Sequence, residues 1–205
     1  MRYYFAPMEG VTTAQFRRVH ASLFPGADRY YTPFLSPTSD RRFTARELRE
    51  ILPENNAGVP VVPQLLTGSA GDFLWAAGEL ADMGYGEVDL NLGCPSATVT
   101  AKGKGAGLLR TPDALERLLD GIFEKTPLPV SVKTRIGYYD PAEWEALLAL
   151  YRRYPIAELT VHCRTRAELY AGEVHREAFD RAREVLNTPL CFNGNLFTVE
   201  DVAAF

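Results

Sequence analysis

The chain has 205 residues, 46% hydrophobic and 23% charged, a composition that can bury a real core and excludes a disordered or low-complexity protein. No apolar run approaches the ~18–20 residues needed to span a bilayer, and the start MRYYFAPMEG lacks the apolar region of an export signal. Three cysteines, odd in number and not closely paired, argue against a disulfide framework and for a reducing cytoplasm, while a net charge of −4 leaves any nucleic-acid contact to local basic clusters.

Seven β-rich runs alternate with helical stretches. The strand candidates are 2–6, 30–34, 59–66, 87–92, 128–134, 158–163 and 189–193. Helical stretches lie between them at 13–24, 44–51, 70–83, 112–125, 141–153 and 176–186. Most of the strands are apolar on both faces, as parallel strands between two layers are. Thr111-Pro112 and Asp140-Pro141 each place a capping residue before proline at the first helical position. No linker or change of composition divides the chain, so 1–205 reads as one domain.

Polar residues gather at or just past the C-terminal ends of these strands: Met8-Glu9, Gln64, Asn91 with Cys94, Lys133 with Arg135, His162 with Arg164, and Asn193 with Asn195. A TIM (β/α)8 barrel collects such residues on one rim, whereas an open sheet converges only those near its switch point. The expected fold is therefore α/β, a TIM (β/α)8 barrel truncated after the seventh strand. TVEDVAAF reads as a new helix capped by Thr198, and an eighth strand would lie beyond it. A barrel open at two edges is an aggregation hazard, so the sequence reads as part of a longer protein unless something else covers the gap.

VDLNLGCPS (88–96) sets Cys94 on the turn that follows a buried strand, and about 18 residues rich in Gly and Lys follow it. A thiol there is an accessible proton donor or a small partly buried hydrophobe; position alone leaves both open. Lys133 on a buried strand needs an anion, either a ligand or a carboxylate such as Asp89 or Glu9. His162, taken alone, reads as a hydrogen-bonded core histidine, and FNGN (192–195) as a turn whose amides suit a phosphate. KGKGAG lacks the spacing of a phosphate loop, and no Cys/His spacing approaches a metal site, so no metal is expected.

In their order and spacing, APMEGVT (6–12), PQLL (63–66), DLNLGCPS (89–96), GKGAGLL (103–109), VSVKTRIG (130–137), VHCRT (161–165) and NGN (193–195) resemble the tRNA-dihydrouridine synthases. That resemblance implies a barrel binding FMN at its mouth, a following helical tRNA-binding domain, and reduction of the uracil C5–C6 bond of tRNA uridines with NADPH. It implies that Pro7, Met8 and Glu9 border the flavin ring, with Gln64 at its edge. Lys133 would stand where negative charge collects on reduction, His162 would also contact the cofactor, and Asn193, Gly194 and Asn195 would hold its phosphate. Asn91 and Tyr170 would contact the uracil, Arg135 and Arg164 the substrate, and Lys102, Lys104 and Arg166 the RNA. Hydride would pass from flavin N5 to uracil C6, and Cys94 would protonate C5, a role suited to a thiol of pKa about 8.5. Cys163 stands where the family usually has glycine. Two other readings remain, a flavin barrel acting on a free pyrimidine as dihydroorotate dehydrogenases do, and a non-catalytic RNA-binding barrel.

Overall fold

Parallel strands and helices alternate throughout the computed structural model, which describes residues 1–203. Every recorded strand pair is parallel. The chain divides into two units, Met1–Asn91 with Arg117–Ser131, and Leu92–Glu116 with Val132 onward.

In the first unit, β1 (Tyr4–Phe5), β2 (Arg29–Tyr31) and β3 (Val61–Val62) pair in that order. The run expected at 59–66 is broken at Pro63, which has no N–H to give a ladder, and resumes as β4 (Gln64–Leu65). β4 pairs with β5 (Val88–Leu92), placing Gln64 beside Asp89. Helix α1 (Ala14–Leu23) starts where Thr13 accepts the Phe16 amide. Helix α2 (Ala45–Ile51) starts at a capping box of Thr44 and Glu47, and α3 (Ala70–Asp82) at Ser69, which accepts from Asp72. Phe73, Ala77 and Leu80 of α3 lie fully buried with Val88 and Leu90 of β5 and with Leu119 and Ile122. The last two belong to the helix Pro112–Lys125, α5 in chain order. Each of the larger side chains contributes about 1.5–3 kcal/mol by leaving water.

In the second unit, β6 (Val130–Arg135), β7 (Leu159–His162) and β8 (Leu190–Asn193) run side by side over Val132 onward. Their last residues align, Arg135 opposite His162 and His162 opposite Asn193. That register brings three of the expected site residues into one row. Helix α6 (Trp144–Tyr151) follows a short 3-10 turn that Asp140 caps as expected. Trp144 Nε1 donates to Ala178 O of α7 (Arg176–Val185) at 2.8 Å. Thr198 accepts the Asp201 amide at the start of α8 (Val199–Ala203).

The glycine-rich stretch after Cys94 is not the open loop its composition suggests. It forms α4 (Ala97–Thr100) and a 3-10 segment Gly105–Arg110, in which Gly105 to Leu109 are buried. Gly107 lies so close to Thr100 that a Cβ would stand 2.7 Å from its carbonyl oxygen, and Gly105 has a left-handed φ of +56° against Cys94. Here Gly105 and Gly107 serve close packing.

Candidate active site

The first unit contributes two polar assemblies. Pro7, Met8 and Glu9 form a turn that Thr12 closes: its hydroxyl accepts the Met8 amide at 3.0 Å and donates to the Met8 carbonyl at 3.1 Å. Behind it, fully buried Arg17 donates to Thr12 O at 2.6 Å and is itself held by Glu50 and Asn56. Met8 is 59% exposed, and Glu9 pairs with Arg46. The second assembly is a buried chain. Ser131 Oγ donates to Asp89 Oδ1 at 2.9 Å, Gln64 Nε2 to Asp89 Oδ2 at 2.7 Å, and Asn91 Nδ2 to Gln64 Oε1 at 2.8 Å. Asp89 thus fixes the Gln64 amide, which turns Asn91.

The second unit holds Cys94, Lys133, Arg135, His162, Arg164, Tyr170 and the Asn193–Asn195 turn. Cys94 is half-buried, and its carbonyl accepts the Ala106 amide at 3.1 Å. His162 is buried and held neutral, its pKa pushed down to about 2 by burial first and then by the charges of Arg135, Lys133 and Arg164. Arg164 Nη1 stands 3.4 Å from His162 Nε2 and donates to Asn195 Oδ1 at 3.2 Å. Gly194 has a φ of +147°, which favours glycine, so the NGN turn is shaped by its backbone. Tyr170 is 70% exposed, its ring 6.0 Å from that of His162 and 5.3 Å from the Arg135 guanidinium. Arg166 donates to Pro95 O at 3.0 Å and lies over Tyr138. Lys102 is exposed and Lys104 half-buried. Cys163 is fully buried, and burial pushes its thiol up to about 12, so it stays protonated in the place the family gives to glycine.

A family model described as "Dihydrouridine synthase (Dus)" matches residues 4–205. The chain belongs to the dihydrouridine synthase family. Relatives named probable tRNA-dihydrouridine synthase in Staphylococcus epidermidis and Staphylococcus aureus are each 34% identical to it, over 95% of this chain and 61% and 60% of their own. "Probable tRNA-dihydrouridine synthase 1" of Synechocystis is 33% identical over 97% of this chain and 56% of its own. The chain therefore spans about 60% of the length of the relatives it matches. Dihydrouridine synthases are TIM barrels, and the α/β order and parallel strands found here are of that class. Among the described residues no helix is long and apolar enough to cross a membrane, and no group of three or more His, Cys, Asp or Glu is placed to hold a metal.

Sequence reading missed groups that brace the candidate residues within each unit. Arg17 gave no signal, because its acceptors include backbone carbonyls. Glu168 did: Thr165-x-x-Glu168 is a capping-box spacing, and Glu168 accepts from the Thr165 amide at 2.7 Å and from His175 Nε2 at 2.8 Å. The hydrogen bond to Glu168 raises the His175 pKa; for Glu168, burial raises the pKa but the bonds from His175 and Thr165 lower it further. His175 therefore stabilises the loop below its ordinary value near 6.5 and loses this as pH rises through its raised value; Glu168 does so above its ordinary value near 4.3 and loses it as pH falls. The protection factor of the Thr165 amide, its exchange rate relative to an unstructured amide at the same pH, is expected to be highest between those limits and to fall on the alkaline side, by about 1 kcal/mol at most for a pair so near the surface. His175→Gln removes the alkaline fall, and a protection factor that ignores pH in the native protein refutes the assignment.

Proposed function

We propose that this chain carries the catalytic part of an enzyme that reduces uridines in tRNA to 5,6-dihydrouridine, with FMN as cofactor and NADPH as reductant. The family is flavin-dependent in general, and the names of the relatives give tRNA as the substrate. The observation that carries the reading is the row of strand ends in the second unit. Three cations, Arg135, Lys133 and Arg164, act on a neutral His162, and the Asn193–Asn195 turn continues the row. A concentration of positive charge beside a glycine turn suits an anionic ligand with a phosphate, which is what a reduced flavin mononucleotide is.

Bound flavin supplies the hydride. The residues supply the rest. Lys133 is assigned to the flavin edge where negative charge collects, and His162 to a neutral contact that does not titrate near pH 7. The Asn193–Asn195 turn is assigned to the phosphate, braced by Arg164 through Asn195. The Cys94 thiol delivers the proton to C5 of the uracil, and Asn91 and Tyr170 hold the base. The base must leave its stack to be reached, at a cost of a few kcal/mol that is smaller in a loop of tRNA.

The intact protein is expected to be yellow, to be bleached by NADPH, and to be reoxidised by tRNA lacking dihydrouridine, with the product found by nucleoside mass spectrometry. A colourless protein overturns the flavin assignment. Reoxidation by uracil or by orotate, but not by tRNA, replaces it with a free-pyrimidine enzyme.

A further inference from the structure

Three consecutive carbonyls surround the Cys94 sulfur's position in the chain, and each takes a donor. Gly93 O accepts from Arg135 Nε at 2.9 Å, Cys94 O from the Ala106 amide at 3.1 Å, and Pro95 O from Arg166 Nε at 3.0 Å. The same two arginines belong to the segment that carries Tyr170, one by contact and one by sequence. Arg135, only 1% exposed, also donates through Nη1 to Thr165 O at 2.9 Å and to Leu169 O at 2.8 Å, and its guanidinium lies over the Tyr170 ring. Leu169 has a φ of +54°, a left-handed conformation a leucine rarely adopts, and the Arg135 bond to its carbonyl holds it there.

We propose that Arg135 and Arg166 are positioning residues that brace the Cys94 turn from both sides and fix it to the Tyr170 loop. The inference deepens the function proposed above and rests on it for its catalytic consequence. A guanidinium is needed because one rigid fork reaches Gly93 on one side and Thr165 and Leu169 on the other; an ammonium has the charge without that span. Arg135 Nε and Nη1 and Arg166 Nε serve backbone carbonyls, which distinguishes this role from direct contact with substrate. Proton delivery depends on where the sulfur stands, and a displacement of 1 Å costs about a hundredfold.

Two readouts test the brace in the intact protein. The first is the rate of Cys94 alkylation by iodoacetamide at fixed pH, read on the Cys94 peptide so that Cys163 and Cys191 do not interfere. Arg135→Lys and Arg166→Lys should each change it by about threefold or more, with the double variant changing most. The second is dihydrouridine formation, expected to fall about tenfold to a hundredfold in Arg135→Lys. In Arg135→Ala, free guanidinium should restore a measurable part of both readouts. Full turnover in Arg135→Lys shows that charge suffices and overturns the proposal. Lost turnover with unchanged alkylation also overturns it, and leaves Arg135 as a substrate contact. Should Arg135 variants fail to fold, the half-buried Arg166 decides by its own alkylation rate. A native protein that forms no dihydrouridine defeats the function proposed above, while the alkylation rates still judge the brace.

Discussion

Cys94→Ala is expected to lower dihydrouridine formation by 10²–10⁴-fold, the range for loss of a general acid, while NADPH still reduces the flavin. That corresponds to about 3–5 kcal/mol of transition-state stabilisation. The half-reactions separate because the thiol is assigned to the uracil proton and to nothing in flavin reduction. Alanine keeps the bonds to the carbonyls of Gly93, Cys94 and Pro95. Anaerobic bleaching by NADPH, followed by reoxidation with tRNA, measures both halves in one experiment. Cys94→Ser keeps the shape and replaces the thiol with a far weaker acid, so it should resemble alanine more than the native protein. Native turnover in either variant removes Cys94 from the mechanism. Loss of flavin reduction as well would move its role from substrate to cofactor.

The Cys94 turn was legible because several signals agreed over a few residues: a buried strand, a glycine, a thiol one step past the apolar run, and a proline. Helices were legible for the same reason; the stretches expected at 112–125 and 176–186 are Pro112–Lys125 and Arg176–Val185. Where one signal was outweighed, the reading failed. The apolar neighbours of Pro63 suggest one continuous strand, yet Pro63 divides β3 from β4. GKGAGLL reads as a loop from its glycines and lysines, although Leu108 and Leu109 are core residues and Gly107 lets Thr100 approach. Arg135 shows a deeper limit. Its place on a strand end was visible, but its acceptors are the carbonyls of residues 93, 165 and 169, and every residue type offers a carbonyl. No sequence pattern marks such a partner.

Asp89 carries the second large effect, and it divides two substitutions that differ by one group. Asp89→Ala leaves the buried Ser131 hydroxyl and Gln64 amide without this acceptor. Each such loss costs about 1–3 kcal/mol, so the variant should lose about 3 kcal/mol or more and melt about 6–12 °C lower. Asp89→Asn keeps the shape. Its oxygen can accept from Gln64 Nε2, and its amide can donate to Ser131 Oγ, because a serine hydroxyl rotates to accept as readily as to donate. It should therefore lose far less stability than alanine. The consequence for activity runs down the same chain. Asn91 donates to Gln64 Oε1, and that oxygen faces it because Asp89 holds the amide end of Gln64. Without the carboxyl group the Gln64 amide loses its bond to Asp89 and can turn over to set donor against donor, which disturbs the Asn91 bond and the orientation assigned to Asn91 for the uracil. Turnover in Asp89→Ala should then fall beyond what unfolding explains at a temperature where the variant is still folded. Equal melting temperatures for the alanine and asparagine variants would show that the carboxyl group does not organise this core, and the orientation of Asn91 would need another source.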